Sequence, residues 1–327
     1  MSTPVGDAAR ADTGAAGADA PRVVSLIASA TEIVAGLGMG ERLVGISHEC
    51  DYPATVLDRP RLSAPKVDPT ASSAEIDRGV RELVRDGLSV YRVDVDALQR
   101  VRPDVIVTQD HCEVCAVSLS DVEEAVCSLD LPGTLVCSLH PGVLADVRRD
   151  FRKVAASLGV EERGQRLVAD FDAKLADVRR RVEESGVEPV RVVMLEWLAP
   201  PMVAGGWMPE IAPLAGARPL IVEEPGRFSQ VGWDDVVAAD PDAVIVLPCG
   251  FDVPRSLDEL EDPAVQAGMR RMRAVREGRC FVLDGNAYFN RPGPRLADSA
   301  ELLAAVLHPD AFPDARERYA GAWVAWG

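Results

Sequence analysis

Positive charge is scarce in this chain. Its 327 residues carry 52 acidic side chains against 35 lysines and arginines, a formal net charge of −17. Phosphate backbones and anionic lipid surfaces would be repelled over most of such a surface, so nucleic acid is not expected as a partner. A small molecule or another protein fits better. Long hydrophobic runs are missing too: nothing approaches the roughly 20 apolar residues that cross a bilayer, so no membrane insertion is expected. The first 21 residues, MSTPVGDAARADTGAAGADAP, hold no apolar signal core and no lipid-accepting cysteine. They read as a disordered tail, and the protein as cytoplasmic, where its seven cysteines would persist as thiols or metal ligands. Catalytic signatures are equally sparse. There is no G-x-x-x-x-G-K-S/T phosphate loop, no G-x-S-x-G, no H-E-x-x-H and no Asp-x-His-x-x-Gly, which favours binding over catalysis.

What is present is alternation. Apolar runs and amphipathic stretches succeed one another from Arg22 onward, the pattern of α/β units with parallel strands. Strands are expected at 22–28, 43–47, 104–108 and 134–138, and again at 191–197, 243–248 and 280–285. Both sets open on Arg-Val-Val-x-Leu, and both run an acidic helix into Pro-Asp and an apolar strand, VDALQRVRPDVIV in one and WDDVVAADPDAVIV in the other. Such a repeat implies two similar lobes. Between them, residues 143–187 keep helical spacing of apolar side chains, with Gly159 as the one candidate break. Unbroken, about 40 residues at roughly 1.5 Å each would make a strut on the order of 60 Å long. The expected organisation is a tail (1–21), an N-terminal α/β lobe (22–142), a linking helix (143–187) and a C-terminal α/β lobe (188–327).

This organisation resembles the helical-backbone metal-receptor superfamily, and within it the cobalamin- and iron-siderophore-binding proteins of ABC importers. The likeness rests on SLIASATEIVAGLGMGERLVGIS, VDALQRVRPDVIV and GNAYFNRPGPRLADSAELLA and covers Arg22 to about His308. It implies two Rossmann-like lobes with parallel sheets joined by a long helix, the class III periplasmic-binding-protein architecture. It also implies a metal chelate, foremost a corrinoid such as cobalamin, held in the interlobe cleft. Without an export signal, an ABC transporter is a doubtful partner.

In open α/β lobes ligands gather at the carboxyl ends of the strands. By that criterion Trp197, Trp207, Tyr288, Asn290 and Arg291, all expected in loops after strands of the second lobe, are the candidate ligand contacts. Large aromatics are also ordinary packing residues. The pair Cys112–Cys115 of HCEVC follows a first-lobe strand and suits a shared metal, a redox pair or simple packing. Cys249 follows the repeat-related strand, eight residues beyond Pro241 as Cys112 lies nine beyond Pro103, and Cys50 follows a third. Together Cys50, Cys112, Cys115 and Cys249 could ligate a [4Fe–4S] cluster or zinc, the cluster being favoured by the cleft position, with lowered thiol pKa values and with His48 and His111 as hydrogen-bond donors to the ligands or as spare ligands. Catalysis at such a centre lacks an identifiable acid–base partner. Cys127, Cys137 and Cys280 read as core residues, His140 as a loop residue and His308 as a helix-end residue.

Overall fold

The computed structural model describes residues 20–86, 90–109, 122, 133–222 and 227–327. Short, β-branched runs buried on both sides form the two sheets. In the first lobe β1 (Val23–Ser25), β2 (Leu43–Gly45), β5 (Val105–Gln109) and β6 (Leu135–Leu139) pair in the order β2-β1-β5-β6, all parallel. A two-stranded antiparallel ribbon, β3 (Ser63–Pro65) with β4 (Tyr91–Val93), flanks helix α2 (Ser73–Arg85). In the second lobe β7 (Val190–Leu198), β8 (Pro201–Val203), β9 (Ala217–Pro219), β10 (Ser229–Gln230), β11 (Ala243–Val246), β12 (Cys280–Leu283) and β13 (Trp323–Trp326) form one sheet. Its centre, β9-β7-β11-β12, is parallel, and β8, β10 and β13 add antiparallel edges.

The repeat is physical. Arg102 and Asp240, each just before the shared Pro-Asp, adopt positive φ angles of 41° and 42°. One residue past the proline, the N–H of Asp104 donates to the Arg22 carbonyl and that of Asp242 to the Arg191 carbonyl, each at 2.8 Å. The duplicated arginines and aspartates thus tie equivalent strand starts together.

Residues 143–187 do not form one rod. Gly159, with φ of 67°, ends α3 (Leu144–Ser157) and lets the chain reverse before α4 (Glu161–Ser185). The two helices pack side by side, Phe151 meeting Phe171 edge-on at 5.5 Å and Arg148 Nε bonding Asp172 at 2.6 Å. The long helix is therefore the 25 residues of α4, about 37 Å at 1.5 Å per residue. Against this pair pack α1 (Ala28–Gly36), α5 (Met208–Leu214) and α7 (Leu296–Leu307), the last buried almost throughout its length. Alternate strand residues face opposite ways, as the period of two requires. Val23 and Val107, like Val192 and Ile245, join the core shared with these helices, whereas Val24 and Val193 belong to separate outer cores. Among the described residues no helix is long and apolar enough to cross a membrane.

Candidate functional site

Strand-end loops of the two lobes meet at one seam. From the first lobe comes the loop after β2, residues 47–52. Arg61 shapes it by donating to the carbonyls of Ser47, at 2.8 Å, and Cys50. From the second comes the turn after β12, residues 285–291, where a side chain at Gly285 would collide with the Pro248 carbonyl, so only glycine brings this turn onto the end of β11. The buried Arg291 spans the seam with its guanidinium to Asp51, to Glu32 of α1 at 3.4 Å and to the Glu49 carbonyl at 3.2 Å. Arg295 grips both oxygens of Glu32 at 2.6 and 2.9 Å, and Asn286 donates to Asp51 at 2.8 Å. Burial works against the Asp51 carboxylate, but the Arg291 contact outweighs it and holds the carboxyl below its usual range. The Arg295 guanidinium also lies over Tyr52 and Tyr288, 4.2 and 5.6 Å from the ring centres.

Beside this seam the first-lobe loop presents a second group. His48 packs on Tyr91 with ring centres 5.1 Å apart, and its Nδ1 lies 2.8 Å from Ser63 Oγ. Burial and then the Arg61 charge lower its pKa to about 4, so the ring is neutral. Tyr91 donates to Glu49 at 3.1 Å, while desolvation raises the Glu49 carboxyl above its ordinary range even though 37% of the side chain is exposed. A further interlobe contact lies at α2. There Glu259 of α6 (Val253–Leu260) accepts the Ser73 N–H at 3.0 Å and pairs with Arg255, which donates to the Ala71 carbonyl. A cavity of about 300 Å³ opens beside it, lined by Ala74, Asp77, Ala199, Pro200 and Trp233. It is walled mainly by apolar groups and lies away from the polar strand-end seam.

The expected contacts fall in different places. Tyr288, Asn290 and Arg291 do share one turn, but Asn290 spends its amide on the Leu247 and Gly285 carbonyls and Arg291 joins the lobes. Trp207 is 6% exposed and donates its indole N–H to the Phe289 carbonyl at 2.9 Å, which anchors the 285–289 turn. Trp197 lies within β7, not after it, tilted on Phe251 at 5.2 Å, its buried indole N–H without a partner among the described residues. The lowered thiol pKa expected of Cys50 is also overturned. Its sulfur is buried 3.0 Å from the Thr31 hydroxyl, and burial pushes the thiol up to about 11. Cys249 is exposed, its N–H bonded to the Glu196 carbonyl, and Cys137 and Cys280 are buried. His308 is buried at the end of α7, its Nε2 3.0 Å from the Gly216 carbonyl. His111, Cys112, Cys115 and Cys127 lie outside the described residues. Among the described residues no group of three or more His, Cys, Asp or Glu is placed to hold a metal. Sequence reasoning missed Glu32, Asp51, Ser63, Tyr91 and Arg295. Only Glu32, a lone charge in the apolar stretch ASATEIVAG, gave a signal there.

Two lobes with parallel central sheets, a bridging helical layer and strand-end loops meeting at a seam define a two-lobed binding protein. The chain belongs to the periplasmic binding protein family, whose model matches residues 23–287. It is 23% identical over 300 residues to an uncharacterized ABC transporter substrate-binding lipoprotein, YvrC, of Bacillus subtilis, covering 90% of this chain and 82% of that one. To the vitamin B12-binding protein of Vibrio cholerae it is 20% identical, covering 88% and 89%. Among solved structures, the periplasmic heme-binding protein RhuT of Roseiflexus superposes with a TM-score of 0.64 at 23% identity, covering 89% of this chain and 99% of that one. The B12-binding protein BtuF of V. cholerae gives 0.60 at 20% identity, covering 89% and 98%.

Proposed function

We propose that this protein is the substrate-binding component of an ABC importer and holds a metal chelate of the corrinoid or heme type between its lobes. The observation that carries the reading is the meeting of the 47–52 loop with the 285–291 turn, strand-end loops from both lobes, within a family of two-lobed receptors. Tyr52, 46% exposed, and Tyr288 offer ring surface along this seam, with His48 and Glu49 as polar neighbours. Flat apolar faces with a few fixed polar groups suit a macrocycle. The likeness to a transporter-linked lipoprotein counts against the doubt cast above on an ABC transporter partner. Calorimetric titration with cyanocobalamin and with hemin, followed in parallel by tryptophan fluorescence, tests the reading. Saturable one-to-one binding of either chelate is the expected result. Absence of heat and of fluorescence change with both, at ligand in large excess over protein, overturns it.

A further inference from the structure

Hydroxyl groups hold the His48 ring by its Nδ1 side. Ser63 Oγ has one proton, which it donates to Ser47 Oγ at 3.2 Å, and it accepts the His48 backbone N–H at 3.2 Å. With that proton given to Ser47, the hydroxyl accepts from Nδ1, 2.8 Å away, and Ser47 Oγ lies 3.4 Å from the same nitrogen, an arrangement that suits the tautomer protonated at Nδ1. Nε2 keeps its lone pair. It has no hydrogen-bond partner among the described residues, Glu49 Oε1 lying 3.9 Å away, and 22% of the side chain is open to solvent. Here one side is clamped and the other presented, the arrangement that orients an imidazole for a metal. The backbone fixes where it is presented. The carbonyl of Glu49 and the carboxylate of Asp51, one and three residues on, are bound by Arg291 of the opposite lobe, so the loop carrying His48 lies along the seam between the lobes. Arg61 rigidifies that loop from behind.

We propose that His48 Nε2 is an axial ligand to the metal of the chelate held between the lobes. The inference rests on the function proposed above. It narrows the ligand class to planar chelates whose metal has an exchangeable axial position. Binding then forms a nitrogen–metal bond and releases the water, or other weak ligand, that held the position, with no change of oxidation state. Ser63 acts as a positioning residue through Nδ1–H.

The test is absorption spectroscopy with two probes, ferric hemin and diaquocobinamide, on wild type, His48→Ala, His48→Gln and Ser63→Ala, each first checked for a native circular-dichroism spectrum. The wild type is expected to shift one probe to its imidazole-ligated spectrum. His48→Ala and His48→Gln should bind that probe in the water-ligated form, and free imidazole should restore the shifted band in His48→Ala. Ser63→Ala should keep the band with affinity reduced about 10-fold, the usual cost of losing such a support. If a probe binds and wild type and both His48 variants give the same spectrum, the ligation is overturned while the chelate-binding reading stands. If neither probe binds the wild type, both fall together.

Discussion

Glu32 illustrates how one side chain can bear more than its share. It is 2% exposed and faces two guanidiniums, Arg291 at 7% and Arg295 at 14%. Removing a partner from a buried pair strands the remaining charge, so Glu32→Ala is expected to cost about 3–5 kcal/mol in urea denaturation. Asp51 touches the same Arg291 with a side chain 48% exposed. Water already screens that contact, and Asp51→Asn should cost under about 1 kcal/mol. His48 gives a pH signature. Its folded pKa of about 4 lies below the ordinary 6.5, so over that interval the unfolded chain binds the proton that the native state refuses. Its contribution to stability is full above pH 6.5, falls as the pH drops toward 4, and is constant below. The stability difference between wild type and His48→Gln, measured by urea denaturation across pH 3.5 to 7.5 in about 0.5-unit steps, should follow that course. Of these residues only His48 and Arg291 were picked out from the sequence, Arg291 as a ligand contact and not as the bridge to Glu32. Partners such as Glu32 and Arg291, 259 positions apart, leave no local pattern, because a salt bridge imposes no periodicity on either segment. The character of Cys50 was hidden for a related reason: position after a strand says nothing about the apolar surroundings that push its thiol pKa up.

Among elements, the central strands were legible because both of their faces are buried, which forces continuous Val, Ile and Leu. The Pro-Asp repeat was legible because Asp104 and Asp242 hold the two lobe openings by the same backbone bonds. Edge strands such as β10, two residues long and partly exposed, carry no such constraint. The reversal at Gly159 was hidden for a different reason. The apolar stripe continues through it, since α3 and α4 bury their stripes against each other and against the same core. At Gly164 α4 approaches α3 closely, for a Cβ there would lie 2.4 Å from the Ala155 Cβ. Gly164→Val should therefore spread the hairpin, destabilising by about 1–3 kcal/mol in thermal or chemical unfolding despite its milder effect on helix propensity.

At the scale of the molecule, the strand faces of both lobes close on one helical layer, from Val23 and Phe151 through Phe171 and Leu175 to Val192 and Leu302. Neither lobe owns that interior. Cutting the chain after residue 187 would expose the inner face of each sheet, so the two fragments should be insoluble or molten when expressed apart and should regain order only when mixed. For the intact protein the same feature makes denaturation a single event: calorimetry should give one peak whose van't Hoff and calorimetric enthalpies agree, where two independent domains would melt in sequence.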